Sequence, residues 1–291
     1  MKAVAPPTRA YNTRQLSQAK PAPSLLDCQI AFERIAKKCV YLIQSNRKLA
    51  IAGDPRAIHK MRMELTRLRA IVLFFYPMTK DIAWPRIRKE LRWLNSALGK
   101  ARDHDVTMNF TKQKRYRFWA RNCRRALLRG QDKGHRSLAE KLNSARYTHL
   151  IVTLTNWITD GSWLVNSGPF RSERIDVYSQ ARLRDWRGRI WREGRHLRAL
   201  RPKQMHRLRI QSKHYRYVLD ALQTLGIKNT RQDLVFYETA KQVHRALGDL
   251  RDLKRLRKAA NDRPPGYRKR KRKLLQQAEK PFRRPVCGGE T

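Results

Sequence analysis

The chain has 291 residues, of which 67 are Lys or Arg and 23 are Asp or Glu, a formal net charge of +44. Ordinary surfaces carry roughly 2–8 units of either sign on a small domain, so an excess of this size marks a protein whose partner is a polyanion. A mean hydropathy of −0.76, with no apolar run near about 18 residues, excludes a membrane span. The 41% hydrophobic residues and seven Trp exclude a wholly disordered chain.

Residues 1–26 hold four of the 13 prolines and no apolar stretch of a secretory signal, and they read as a disordered leader. Cys28, Cys39, Cys123 and Cys287 form no CxxC pair and have no histidine at zinc-ligand spacing, so free thiols in a reducing compartment and a cytoplasmic location are expected. Between residues 24 and 263 only Pro55, Pro77, Pro85, Pro169 and Pro202 interrupt the chain, and apolar residues recur at three and four, as in Ile30, Ile35, Val40 and Ile43 with Phe32 and Ala36 between them. This pattern predicts an all-α body over 27–262, with about eight to ten helices. Asp54-Pro55 predicts a capped helix that runs to about Phe75. Pro85 opens a helix expected to end at Gly99, and a helix after Pro202 ends at Gly226. Gly161 to Pro169 separates an N-terminal half, 27–160, from a C-terminal half, 170–262. Residues 263–291, with the run RKRKRK at 268–273, read as a solvated, flexible basic tail.

The chain repeats itself. HKMRMELTRLRAIVLFF (59–75) parallels HRLRIQSKHYRYVLDAL (206–222), placing His59, Arg62, Arg67 and Arg69 147 positions before His206, Arg209, His214 and Arg216. LNSALGKARDHDV (94–106) parallels VHRALGDLRDLKR (243–255), matching Leu98, Gly99, Arg102 and Asp103 to Leu247, Gly248, Arg251 and Asp252. Two blocks in the same order indicate a tandem duplication of an α-helical unit. At about 100° per residue, His59, Arg62, Thr66 and Arg69 form a stripe opposite Met61, Leu65, Leu68, Val72 and Phe75. His206, Arg209, Lys213 and Arg216 form the same stripe opposite Leu208, Tyr215, Leu219 and Leu222. Like charges three and four residues apart repel, and a polyanion laid along the stripe reverses the sign of that interaction. Arginine forks grip phosphate oxygens in pairs, and histidine gains charge beside phosphate.

HxxRxxxxRLR, the LGxxRDxD block and HxLRIxxKxxRY together resemble the CHAD family, the conserved-histidine α-helical domains, over about residues 27–262. The resemblance implies two pseudo-symmetric helical bundles with a basic groove between them, binding of inorganic polyphosphate, and association with polyphosphate granules. It implies phosphate contacts from His59, Arg62, Arg67, Arg69, His206, Arg209, Lys213 and Arg216, with Lys60, Arg207 and His214 as secondary contacts. Thr66 stands where the family usually has a basic residue, Glu64 puts an acid inside the first motif, and His214 and Tyr215 replace the usual Arg and Leu. A weaker grip by the first half is therefore expected, with Lys60 and Arg67 compensating from its flank.

The acids of Arg102-Asp103-His104-Asp105 point about 200° apart on a helix, which favours a cap or an Arg–Asp pair between helices over a metal or acid–base site. No GxxxxGK[ST], HExxH, GxSxG or paired-acid metal motif is present, so a non-catalytic binding protein without cofactor or metal is expected. RNA or DNA is the alternative partner, since nucleic acid rewards the same charge and Trp residues lie among the basic ones. Core packing accounts for most of those Trp.

Overall fold

The computed structural model describes residues 26–117, 124–166, 168–259 and 263–283. The leader to residue 25, Trp119, Cys123, Cys287 and the segment after 283 lie outside the described residues. The described residues form helices α1 (Cys28–Ser45), α2 (Arg47–Ile51), α3 (Pro55–Phe74), α4 (Tyr76–Thr79), α5 (Trp84–Thr111), α6 (Lys114–Arg117) and α7 (Arg124–Leu142). These are followed by α8 (Ala145–Asp160), α9 (Trp163–Asn166), α10 (Ile175–Arg195), α11 (Pro202–Thr224), α12 (Arg231–Ala259) and α13 (Tyr267–Glu279). The all-α expectation holds, and nine of these helices are 13 residues or longer. No helix among the described residues is long and apolar enough to cross a membrane.

Local chemistry sets several boundaries. The Asp54 carboxylate accepts from the Arg56 N–H at 2.7 Å and Pro55 opens α3 without needing a donor, as the sequence suggested. Gly226 takes φ +80° just after α11, the left-handed stop that its position implies. The expected end at Gly99 is wrong: α5 runs through it to Thr111. Gly99 packs against the Arg62 guanidinium, where a Cβ would stand 2.6 Å from Nη1. The glycine makes room for a side chain of α3 and does not stop a helix.

The starts of α1 and α10, of α3 and α11, and of α5 and α12 are each separated by 147 residues. In the first half α3 packs on α1 and α5, and α5 packs on α7. In the second, α11 packs on α10 and α12, and α12 packs on α13. The two sets share a core across α3, α10 and α11. Phe75 stacks on Tyr178 at 5.6 Å, Phe74 meets Trp186 edge-on at 5.5 Å, and the Tyr178 hydroxyl donates to the Phe74 carbonyl at 2.6 Å. A short bridge between Asp27 and Arg174, flanked by Cys28 N–H to Glu173 O at 3.0 Å and Ile175 N–H to Leu26 O at 3.1 Å, joins the entrances of α1 and α10. Cys28 and Cys39 are buried free thiols.

The expectation of a flexible tail is corrected over residues 267–283, where α13 and the turn after it pack on the body. Leu274 and Ala278 are buried against the rest of the core, and Phe282, in a 3-10 turn after the helix, meets Trp191 edge-on at 5.5 Å. Glu279 ties the end of this segment through Arg198 and Arg283. Three apolar anchors at intervals of four residues, two on α13 and one in the turn after it, are enough to order a segment that carries six consecutive cations after Tyr267.

Candidate functional site: a cationic cluster on four helices

The apolar face read from the sequence is the buried one: Met61, Leu65, Leu68 and Val72 of α3 and Leu208, Tyr215, Leu219 and Leu222 of α11 are all at most 1% exposed. With those faces fixed in the core, Arg62 on α3 and Arg209, Lys213 and Arg216 on α11 come together with Arg251 and Arg255 on α12. Arg102 on α5 closes the group beside His59. Asp103 of α5 and Asp252 of α12 are the acids facing it, and Arg251 and Arg255 engage both. Arg255 bonds Asp103 directly, and Arg251 lies 3.6 Å from Asp103 and 3.4 Å from Asp252. Asp103 therefore ties α5 to α12. This is the inter-helix Arg–Asp pair anticipated from the sequence, and its mid-helix position excludes a cap.

The central cations lack such partners. Among the described residues no carboxylate lies within ion-pair distance of Arg62, Arg209, Lys213 or Arg216, and the Nε atoms of Arg209 and Arg216 are buried with no hydrogen-bond acceptor. Arg209 lies along Gly248 (a Cβ there would be 3.6 Å from Nε), the counterpart of Arg62 on Gly99. Arg216 stacks over the Tyr237 ring at 5.2 Å and donates from Nη1 to His244 Nδ1 at 3.4 Å, which leaves the His244 proton on a buried, unpartnered Nε2.

Crowding of like charge shows in the protonation equilibria. Burial comes first and the neighbouring arginines second in pulling Lys213 down to about 7 and His244 down to about 3. Burial and then Arg251 lower Arg209 to about 10. His59 and His206, both exposed, are also lowered, by partial burial and then by Arg102 and Arg209 respectively. Such a cluster is held together by the apolar packing beneath it, and an anion entering it would relieve strain on every member.

The other sequence candidates are placed elsewhere. Arg67 is bound by both oxygens of Glu64, at 2.6 and 2.7 Å, and lies over the Tyr217 ring, which Lys213 also approaches at 5.1 Å. The acid inside the first motif thus neutralises the flanking arginine expected to compensate. Arg69 faces Arg88 and Arg92, and His214 faces Arg69; His214 lines a separate cavity of about 120 Å3 with Trp186, Arg189 and Gln211. Lys60 is exposed, and Arg207 lies 3.5 Å from Glu193. Thr66 returns its hydroxyl to the Arg62 carbonyl at 2.8 Å and contributes no charge. Of the residues that sequence reasoning left out, Arg251, Arg255 and His244 belong to the cluster. The repeated LGxxRD block carried the signal for Arg251.

The sequence profile of the CHAD domain matches residues 34–261. The chain belongs to the CHAD family. A crystal structure of the CHAD domain from the plant Ricinus communis superposes with a TM-score of 0.67 at 23% identity, covering 91% of this chain and 90% of that one. The likeness at that identity is one of fold. Among curated proteins none matches. The CHAD profile spans α3, α5, α11 and α12, so every member of the cationic cluster lies inside the matched region, whereas α13 lies beyond it.

Proposed function

We propose that this CHAD domain binds inorganic polyphosphate, without catalysis, through the cluster formed by Arg62, Arg209, Lys213, Arg216, Arg251 and Arg255, with His59 and His206 at its exposed margin. The observation that carries the reading is the set of half-buried cations on α3 and α11 with no carboxylate partner among the described residues, two of them with a buried, unpartnered Nε. Cations partly withdrawn from water without a partner cost stability, and a bound polyanion would supply their counter-charge. A linear phosphate polymer fits a surface drawn from four helices, because each fork takes phosphate oxygens in pairs and no base edge needs to be read. The duplicated arrangement further supports a basic groove between two related halves, and a cytoplasmic site of action at polyphosphate granules accords with it.

Nucleic acid is the competing reading. Single strands gain much of their affinity by stacking bases on exposed aromatic rings. Here Trp157, Trp163 and Trp186 are buried, and Trp84, Trp93 and Trp191 pack against the core. Competition at physiological salt is expected to show long-chain polyphosphate displacing RNA and duplex DNA at equal phosphate concentration, with affinity falling steeply as salt rises. RNA winning that competition would overturn the proposal.

The two glycines give a local test. Gly99→Ala pushes a methyl group to 2.6 Å from Arg62 Nη1, so the guanidinium must move, and polyphosphate affinity is expected to fall several-fold. Because Ala is a better helix former than Gly by up to about 1 kcal/mol, the melting temperature should hold or rise. Gly248→Ala meets Arg209 at an ordinary 3.6 Å and should leave affinity unchanged. Fluorescence anisotropy with labelled polyphosphate reads both variants.

A further inference from the structure

Lys213 occupies an unusual position within the cluster. Arg62 and His59 face it from α3, Arg251 and His244 from α12, and Arg209, Arg216 and His214 from its own helix, while the Tyr217 ring covers one side at 5.1 Å. The two acids of the cluster, Asp103 and Asp252, are occupied by Arg251 and Arg255. An arginine cannot relieve the repulsion by losing its proton, whereas a lysine can. We infer that polyphosphate binding is coupled to protonation of Lys213: the arriving polyanion brings the counter-charge that the surrounding cations and the occupied acids do not, and the site takes up a proton as it binds. This inference rests on the function proposed above.

The sign follows from which state holds the proton. Burial and the surrounding arginines lower the free-state pKa of Lys213 to about 7. Phosphate oxygens beside the ammonium favour its charged form and return it toward the ordinary lysine range. Binding therefore takes up a proton at any pH between those two values, and affinity falls as pH rises through that window. The histidines facing the site do not share the window. His244 and His214 are held near 3, and His59 and His206 are lowered as well, so their uptake belongs to acid pH. Internal phosphates of a long chain remain ionised throughout, leaving Lys213 as the group of the cluster that titrates between pH 7 and 9.

The test is calorimetry of long-chain polyphosphate with the full chain at pH 8, in phosphate-free buffers of different ionisation enthalpy. The slope of apparent enthalpy against buffer enthalpy should give close to one proton taken up per site at pH 8, and affinity should fall roughly tenfold between pH 8 and pH 9. Lys213→Arg keeps the charge but cannot titrate; it should bind with that uptake removed and with affinity nearly flat over the same range. Lys213→Met should bind more weakly and also lose the uptake. Wild-type binding without proton uptake at pH 8, or with uptake equal to that of Lys213→Arg, overturns the inference and leaves the proposed function standing. If Lys213→Arg does not fold, the wild-type affinity profile decides alone, and a flat profile from pH 7 to 9 sinks the idea. Absence of any polyphosphate binding by the wild type overturns both readings.

Discussion

Replacing Arg62 and Arg209 together by Ala is expected to weaken polyphosphate binding by about a hundredfold or more, since each charge-assisted contact to phosphate is worth roughly 1.5–3 kcal/mol. The two side chains lie on corresponding helices, each along a glycine and each without a carboxylate partner. Two charges are a small part of a net +44, so the long-range field barely changes. The matched control is Arg268→Ala with Arg272→Ala on α13, where both side chains are exposed and an equal charge is lost. That pair should cost little, as exposed charges contribute about 0–1 kcal/mol each. Folding should survive in both proteins, and the Arg62/Arg209 variant should melt no lower than wild type because like-charge repulsion has been relieved. Equal losses of affinity in the two double variants would point to a diffuse charge cloud, and the residue assignment would then be discarded.

The largest expected effect on stability lies away from the site, at Asp233. This buried carboxylate accepts from Arg187 Nη1 at 2.7 Å, the Tyr215 hydroxyl at 2.8 Å and the Thr230 hydroxyl at 2.6 Å, joining α10, α11 and the start of α12. Asp233→Ala strands a mostly buried guanidinium and a buried phenol, and removing one partner of such a pair costs about 3–5 kcal/mol. A fall in melting temperature of about 6 °C or more is expected in a domain of this size. Glu238→Ala, which breaks the exposed Lys241–Glu238 pair, should change stability by less than about 0.5 kcal/mol. A shift of similar size in both proteins would show that the Asp233 network does not hold the three helices together. Since Tyr215 anchors the apolar face opposite Lys213, loss of this network should also loosen the presentation of the α11 cations.

The sequence made the helices, their buried faces and the family legible because all three depend on spacing along the chain, and a period of 3.6 residues survives any tertiary detail. Arg62, Arg209, Lys213 and Arg216 could be found for the same reason. Arg67 and Arg69 show the limit of that reasoning. Arg67 stands off the stripe and meets Glu64 at i−3. Arg69 shares the azimuth of Arg62 but sits seven residues further on, about 10 Å along the axis, where α5 presents Arg88 and Arg92 instead of α12. Gly99 was misread because a helical glycine near a basic run has the same local signature whether it ends a helix or admits a side chain from 37 positions earlier. His244 and Arg255 could not be placed without knowing which face of α12 turns toward α11. In α13, the charge run obscured a short apolar face whose value depends on Trp191 being there to receive Phe282.

The bridge between Asp27 and Arg174 joins residues 147 positions apart, the same interval that separates His59 from His206 and Pro55 from Pro202. A position that meets its own counterpart is what an isologous contact produces, where one surface patch faces a second copy of itself across a two-fold axis. Such a contact can form between separate chains as readily as within one. Two polypeptides, each carrying one half and divided within the Gly161–Pro169 break, would retain both partners of the bridge and the Phe75–Tyr178 stack that lies beside it. Co-expressed, they should reassemble into the complete four-helix cluster, with the covalent link replaced by a dimer interface.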